Sequence, residues 1–155
     1  MFVYAEIAFK CQRLEQGLIP VNAYVDLINF KLYRGDIDIL TLRSEIPLQT
    51  VLSPIEVNNI FLRAMTENYA AQAFISKKYK LLYWQSDGKA EVDFVLQIDG
   101  AVIPIEVKKG ERNRSKSLRV FIEKYKSPYV IRISKKNFDF ENGIKSVPLY
   151  AVFYI

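Results

Sequence analysis

Histidine is absent from all 155 residues. That removes Ser-His and Cys-His nucleophilic systems, histidine zinc sites and histidine-based metal nucleases, and leaves carboxylates and lysines to carry any chemistry. A single cysteine, Cys11, excludes an internal disulfide framework and fits a reducing cytoplasm. No apolar run approaches the roughly 20 residues of a membrane span, and the first residues lack a signal-peptide pattern. A soluble, cytoplasmic protein is the expectation. There is no Gly-x-x-x-x-Gly-Lys-Ser/Thr, hence no phosphate-cradling loop, and ATP hydrolysis is not expected of this chain. Internal repeats, low-complexity tracts and Pro/Gly/Ser linkers are missing too, which points to one domain.

What is present suits a folded core. Half of the residues are hydrophobic and 14% are aromatic, a composition that rules out disorder. The net charge of +5, with a pI near 9.2, permits nucleic-acid or acidic-surface binding.

The most informative stretch runs from Glu91 to Lys108. Val92, Phe94, Leu96 and Ile98 alternate with mostly polar neighbours, Asp99-Gly100 intervenes, and Ile103, Ile105 and Val107 resume the alternation. This is a β-hairpin signature with a type I′ turn. In that register Ile98 pairs with Ala101, Asp93 lies opposite Glu106, and Glu91 lies opposite Lys108. Two carboxylates at a non-hydrogen-bonded pair, with Cβ atoms roughly 4.5–5.5 Å apart, repel each other. A bound divalent cation would turn the repulsion into coordination. The same residues also suit an exposed hairpin face with solvated charges and Lys108 as counter-ion.

Other elements follow from local signals. Ser53-Pro54-Ile55-Glu56 is a capping box for a helix running to about Ser76. Ile60, Ala64, Glu67, Ala71 and Phe74 share one face of it, so Glu67 sits in the apolar stripe, where a charge needs a partner or a metal. Tyr79 to Trp84 reads as a strand with core aromatics, and Ser86-Asp87-Gly88 as a turn. Ser115 caps a second helix bearing Leu118, Phe121, Ile122 and Tyr125, and Tyr129 to Ile133 reads as a strand parallel to the Glu106 strand. Between them, Lys109, Arg112, Arg114 and Lys116 form a basic cluster that suits either a solvated loop or phosphate binding. Pro104 predicts an irregularity in its strand. Asn29 to Tyr33 reads as a strand, Asp36 to Leu42 as a short helical turn, and Phe138 to Ser146 as irregular. Val147 to Ile155 reads as a last strand or short helix. The expected fold is α/β: a mixed sheet built on the hairpin and flanked by the two helices, with residues 1–45 an accessory segment packed on a 50–155 core.

The order of Asp93, then twelve residues, then Glu106-x-Lys108 resembles the PD-(D/E)XK nuclease superfamily, with Val92 where the family name has proline. A longer series resembles, more closely, the nuclease-like domain at the C-terminal end of a family of prokaryotic AAA-type ATPases. It comprises Lys31-Leu32-Tyr33, Thr66-Glu67-Asn68-Tyr69, Tyr83-Trp84, Glu91-Val92-Asp93-Phe94, Ile103-Pro104-Ile105-Glu106-Val107-Lys108 and Lys116-Ser117-Leu118. The resemblance covers the chain from about Leu18 onward. It implies a restriction-endonuclease-like fold and a Mg²⁺ or Mn²⁺ site formed by Glu67, Asp93, Glu106 and the Val107 carbonyl. Lys108 would be the fourth catalytic group, nucleic acid the partner, DNA ahead of RNA, and an AAA-type ATPase the associated protein. The rival expectation is a non-catalytic nucleic-acid-binding or regulatory module of such an ATPase.

Overall fold

A computed structural model describes residues 7–36, 59–86, 90–108 and 116–155. The capping box at Ser53, the turn expected after Asp36, the Asp87-Gly88 turn, the Ser115 cap and three of the four basic-cluster residues (Lys109, Arg112 and Arg114) lie outside the described residues.

The described residues form an α/β fold on one eight-stranded sheet, ordered β2-β1-β3-β4-β5-β6-β8-β7. The strands are β1 (Ala8–Leu14), β2 (Val25–Arg34), β3 (Leu82–Gln85), β4 (Glu91–Ile98), β5 (Ala101–Val107), β6 (Val130–Ser134), β7 (Asp139–Glu141) and β8 (Ile144–Pro148). Two helices flank it, α1 (Asn59–Ser76) and α2 (Lys116–Tyr125). The pairs β1/β2, β3/β4, β4/β5 and β7/β8 are antiparallel, and β1/β3, β5/β6 and β6/β8 are parallel. The N-terminal strands are part of this sheet rather than a layer beside it, because β1 pairs directly with β3.

The hairpin is the sheet's centre, and its turn end is as the sequence predicts. Asp99 and Gly100 have φ of 48° and 76°, the left-handed pair that a type I′ turn needs, and Ile98 pairs with Ala101. Pro104 keeps register opposite Val95, against the irregularity expected there. Its nitrogen points away from β4, so the hairpin ladder loses no bond there, and on the other side the ladder to β6 starts at Ile105.

Period-two alternation divides the core in two. Phe94, Leu96, Ile103, Ile105, Val107, Ile131 and Ile133 pack with Ala70, Ala71 and Phe74 of α1, whose Phe74 ring meets Phe94 edge-on at 5.3 Å. Val92, Val95, Val102 and Val130 pack with Leu118 and Phe121 of α2, and Trp84 meets Phe121 edge-on at 5.2 Å. Gly17 lets the chain cross this side closely, since a Cβ there would stand 2.6 Å from the Phe121 ring. Of the face expected on the first helix, Ala71 and Phe74 are buried but Ala64 is exposed. The buried polar residue of α1 is Asn68, which clamps the end of β2 by accepting from the Arg34 N–H (2.7 Å) and donating to the Arg34 carbonyl (3.0 Å).

The segment expected to be irregular is a further hairpin, β7–β8, turned by Asn142-Gly143 with φ of 52° and 73°. The C-terminal residues finish β8 and then coil as a 3₁₀ turn, Leu149–Tyr154. Among the described residues no helix is long and apolar enough to cross a membrane.

Candidate site at the open end of the central hairpin

The β4–β5 ladder closes at Phe94–Ile105 and goes no further, so the expected Asp93–Glu106 cross-strand pair is not formed. The cause lies in the other neighbour of β4. Leu82 pairs with Val95 and Trp84 with Val92, which leaves Tyr83 alone on β3 opposite both Asp93 and Phe94 on β4. That extra residue is a β-bulge, a device that re-aims side chains. Val92 and Val95 both stay on the α2 side, and Asp93 joins Phe94 toward α1. Glu91 is correspondingly paired with Gln85 on β3 and bonded to Lys31 on β2, not set against Lys108.

Asp93 thereby fills the gap where the two strands part. Its Oδ2 accepts the Val107 N–H at 2.8 Å, taking the place of a ladder carbonyl, and its Oδ1 accepts from the Arg63 guanidinium at 3.0 Å. Arg63 also donates to Glu67 Oε1 at 2.7 Å, so one guanidinium spans both acids. The Arg63 side chain is 61% exposed, whereas those of Glu67 and Asp93 are 14% and 6% exposed. Asp93 is raised to a pKa of about 6, by burial first and next by the charge of Glu67; the Val107 N–H and Arg63 pull the other way without cancelling them. The Tyr33 hydroxyl is buried without a hydrogen-bond partner, and burial first, with the nearby carboxylates of Glu67 and Asp93, pushes its pKa up and keeps it neutral.

Glu106 belongs to the neighbouring side. Ile105 and Val107 face α1, so alternation along β5 turns Glu106 toward the α2 side, in register with Arg132 on β6. Its Oε1 lies 3.3 Å from Lys108 Nζ, and its Oε2 is 3.6 Å from Arg132 Nε, buried and without a hydrogen bond. Of the residues the sequence singled out, Glu67 and Asp93 meet through Arg63. Glu106 and Lys108 meet each other, and Lys116 is exposed at the start of α2. Among the described residues, no three histidine, cysteine or acidic side chains stand close enough as placed to hold a metal ion.

Arg63 and Arg132 are the two site residues that the sequence did not reveal. Arg63 precedes Glu67 by one helical turn, the one spacing that could have flagged it, since i,i+4 partners meet on a helix. Arg132 carries no local signal, because its nearness to Glu106 depends on the β5–β6 register.

A family model described as Domain of unknown function (DUF4143) matches residues 63–152. The chain belongs to that family. No curated protein and no solved structure matches it. The DUF4143 match takes in Arg63, Glu67, Asp93, Glu106, Lys108 and Arg132, and leaves β1 and β2 outside.

By donor type the residues fit a hard divalent cation: carboxylates at a strand fork, a backbone carbonyl beside them, and a buried Glu106 oxygen without a hydrogen bond. Two anions share one guanidinium, and the raised Asp93 shows that burial, with the charge of Glu67 next, outweighs what Arg63 and the Val107 N–H supply. Admission of a metal by the whole set requires Arg63 to withdraw, which its solvent-reaching side chain permits, and Glu106 to turn from the α2 side toward Asp93.

Proposed function

We propose that the open end of the β4–β5 hairpin is a Mg²⁺- or Mn²⁺-dependent phosphodiester-hydrolysing site on a PD-(D/E)XK-like, restriction-endonuclease-like domain acting on nucleic acid. The observation that carries this reading is Asp93: a buried carboxylate, delivered by a bulge into the strand fork, beside Glu67 and under-compensated by Arg63. Glu67, Asp93, Glu106 and the Val107 carbonyl would hold the ion. When bound, the ion polarises the scissile phosphate and lowers the pKa of the attacking water. The Val107 N–H fixes the Asp93 carboxylate. Lys108, whose side chain is partly exposed beside Glu106, orients the nucleophile and stabilises charge developing on the phosphate. Lys109, Arg112, Arg114 and Lys116, which follow it in the sequence, supply phosphate contacts, and an AAA-type ATPase supplies the motor, as the sequence resemblance implies. Incubating the purified protein with plasmid and oligonucleotides in Mg²⁺ or Mn²⁺ tests the reading. Metal-dependent cleavage lost in Asp93→Ala is the expected result; no cleavage, or equal cleavage by the variant, sinks catalysis at this site.

A second reading has its own observation. Glu67, Asp93 and Glu106 already meet Arg63, Lys108 and Arg132, an arrangement that balances three anions with three cations of the chain itself. That favours a non-catalytic module, nucleic-acid-binding or regulatory, whose fork is a structural ion-pair network. Mn²⁺ titration separates the two, since a closed network binds none.

A further inference from the structure

At the far edge of the sheet the chain exposes aromatic rings between lysines. Lys135 and Lys136 follow β6, Phe138 precedes β7, Phe140 lies within it, and Lys145 is on β8; all are exposed, the two rings by 60% and 66%. Phe140 lies within β7 and Phe138 just before the strand begins, and Lys145 pairs directly with Phe140 and so shares its side of the sheet. That is the α1 side, because Lys145 is two residues before Val147 of the α1 core. The acids of the same strand, Asp139 and Glu141, alternate to the other side, where Asp139 pairs with Ser146.

Burying either ring in a core would stabilise the fold, so two left in water on an edge strand point to a ligand. A protein partner is the weaker fit, since the centres of protein interfaces are depleted in lysine. π faces interleaved with ammonium groups are the means by which proteins hold unpaired bases and their phosphates. We infer that the β7–β8 edge, through Phe138, Phe140, Lys135, Lys136 and Lys145, binds single-stranded nucleic acid, the bases stacking on the rings and the phosphates lying against the lysines. This rests on the nucleic-acid reading of the domain and adds a strand preference to it. A duplex keeps its bases stacked inward and gives the rings nothing to hold.

Fluorescence anisotropy with a short labelled oligothymidylate, and with the same strand annealed to its complement, tests the inference in chelator, so that the metal site plays no part. Wild type is expected to bind the single strand more tightly than the duplex. Phe138→Leu/Phe140→Leu keeps the apolar bulk and removes the π faces, and is expected to lose roughly tenfold per ring. Lys135→Ala/Lys136→Ala/Lys145→Ala is expected to flatten the salt dependence by about two units of slope. Binding unchanged by the leucine pair, a preference for duplex, or no binding at low salt overturns the inference.

Discussion

At its turn, the β4–β5 hairpin sets Asp99 and Gly100 in left-handed backbone and pairs Ile98 with Ala101; past Phe94 and Ile105 the same strands part around a buried carboxylate. The turn end is governed by residues adjacent in sequence. A two-residue loop needing positive φ leaves Asp-Gly little alternative. The open end is governed by a third strand and a helix: β3 imposes the bulge that turns Asp93, and α1 brings the cation that meets it. Regular pairing stabilises one end, and at the other the fold holds charges that repel, as functional sites do.

The largest effect expected from breaking this contrast is a gain in stability. Asp93 has a folded pKa of about 6 against an ordinary 3.8, so the folded state holds its proton more tightly than the unfolded chain does. Its contribution to stability is therefore greatest below about pH 4, falls as pH rises through 4 to 6, and stays reduced above that by about 3 kcal/mol. Asp93→Asn keeps an acceptor for the Val107 N–H and cannot ionise. In urea melts with chelator it should be more stable than wild type at pH 8, by up to about 3 kcal/mol, with the difference gone near pH 4. A variant less stable at pH 8 would mean that Arg63 and the Val107 N–H fully compensate the charge.

At the other end, Gly100→Ala meets no atoms within 4 Å, so its only cost is the φ of 76°. A loss of about 1–2 kcal/mol is expected, with any Mn²⁺-induced rise in melting temperature unchanged. A loss of metal response here would show that the two ends are coupled, contrary to the contrast drawn.

Lys108→Ala gives the smallest change. Removing one of the cations beside Glu106 should cost about 1 kcal/mol in chelator, and millimolar Mn²⁺ should restore part of it, because a ligand of the folded form stabilises by mass action. Thermal melts with and without metal measure both. An equal, metal-independent change would make Lys108 an ordinary surface lysine.

The same contrast explains what could be read from the sequence. Alternation from Val92 to Val107 and the Asp99-Gly100 turn gave the hairpin and its register as far as Phe94. The amphipathic spacing of Leu118, Phe121 and Ile122 gave α2, and the crossover gave β6 its parallel direction. The bulge was not legible, because nothing in Asp93-Phe94 differs from a regular strand until β3 lies beside it. Arg63 belonged to no motif, and Arg132 reaches Glu106 only through the sheet. The β7–β8 hairpin was legible and overlooked: Asn142-Gly143 is a strong hairpin turn, but its flanks are too polar and short to alternate clearly.

On the proposed function, Arg63 holds a metal site at the fork shut. Isothermal titration of Mn²⁺ into wild type, Arg63→Gln and Asp93→Asn tests it most directly, and Arg63 is exposed enough to be replaced without disturbing the core. The account predicts measurable binding by wild type and roughly tenfold tighter binding by Arg63→Gln, since losing a competing charged hydrogen bond of about 1.5 kcal/mol amounts to that factor. It predicts no binding by Asp93→Asn. Arg63→Gln binding no tighter than wild type, or Asp93→Asn binding equally well, would contradict it.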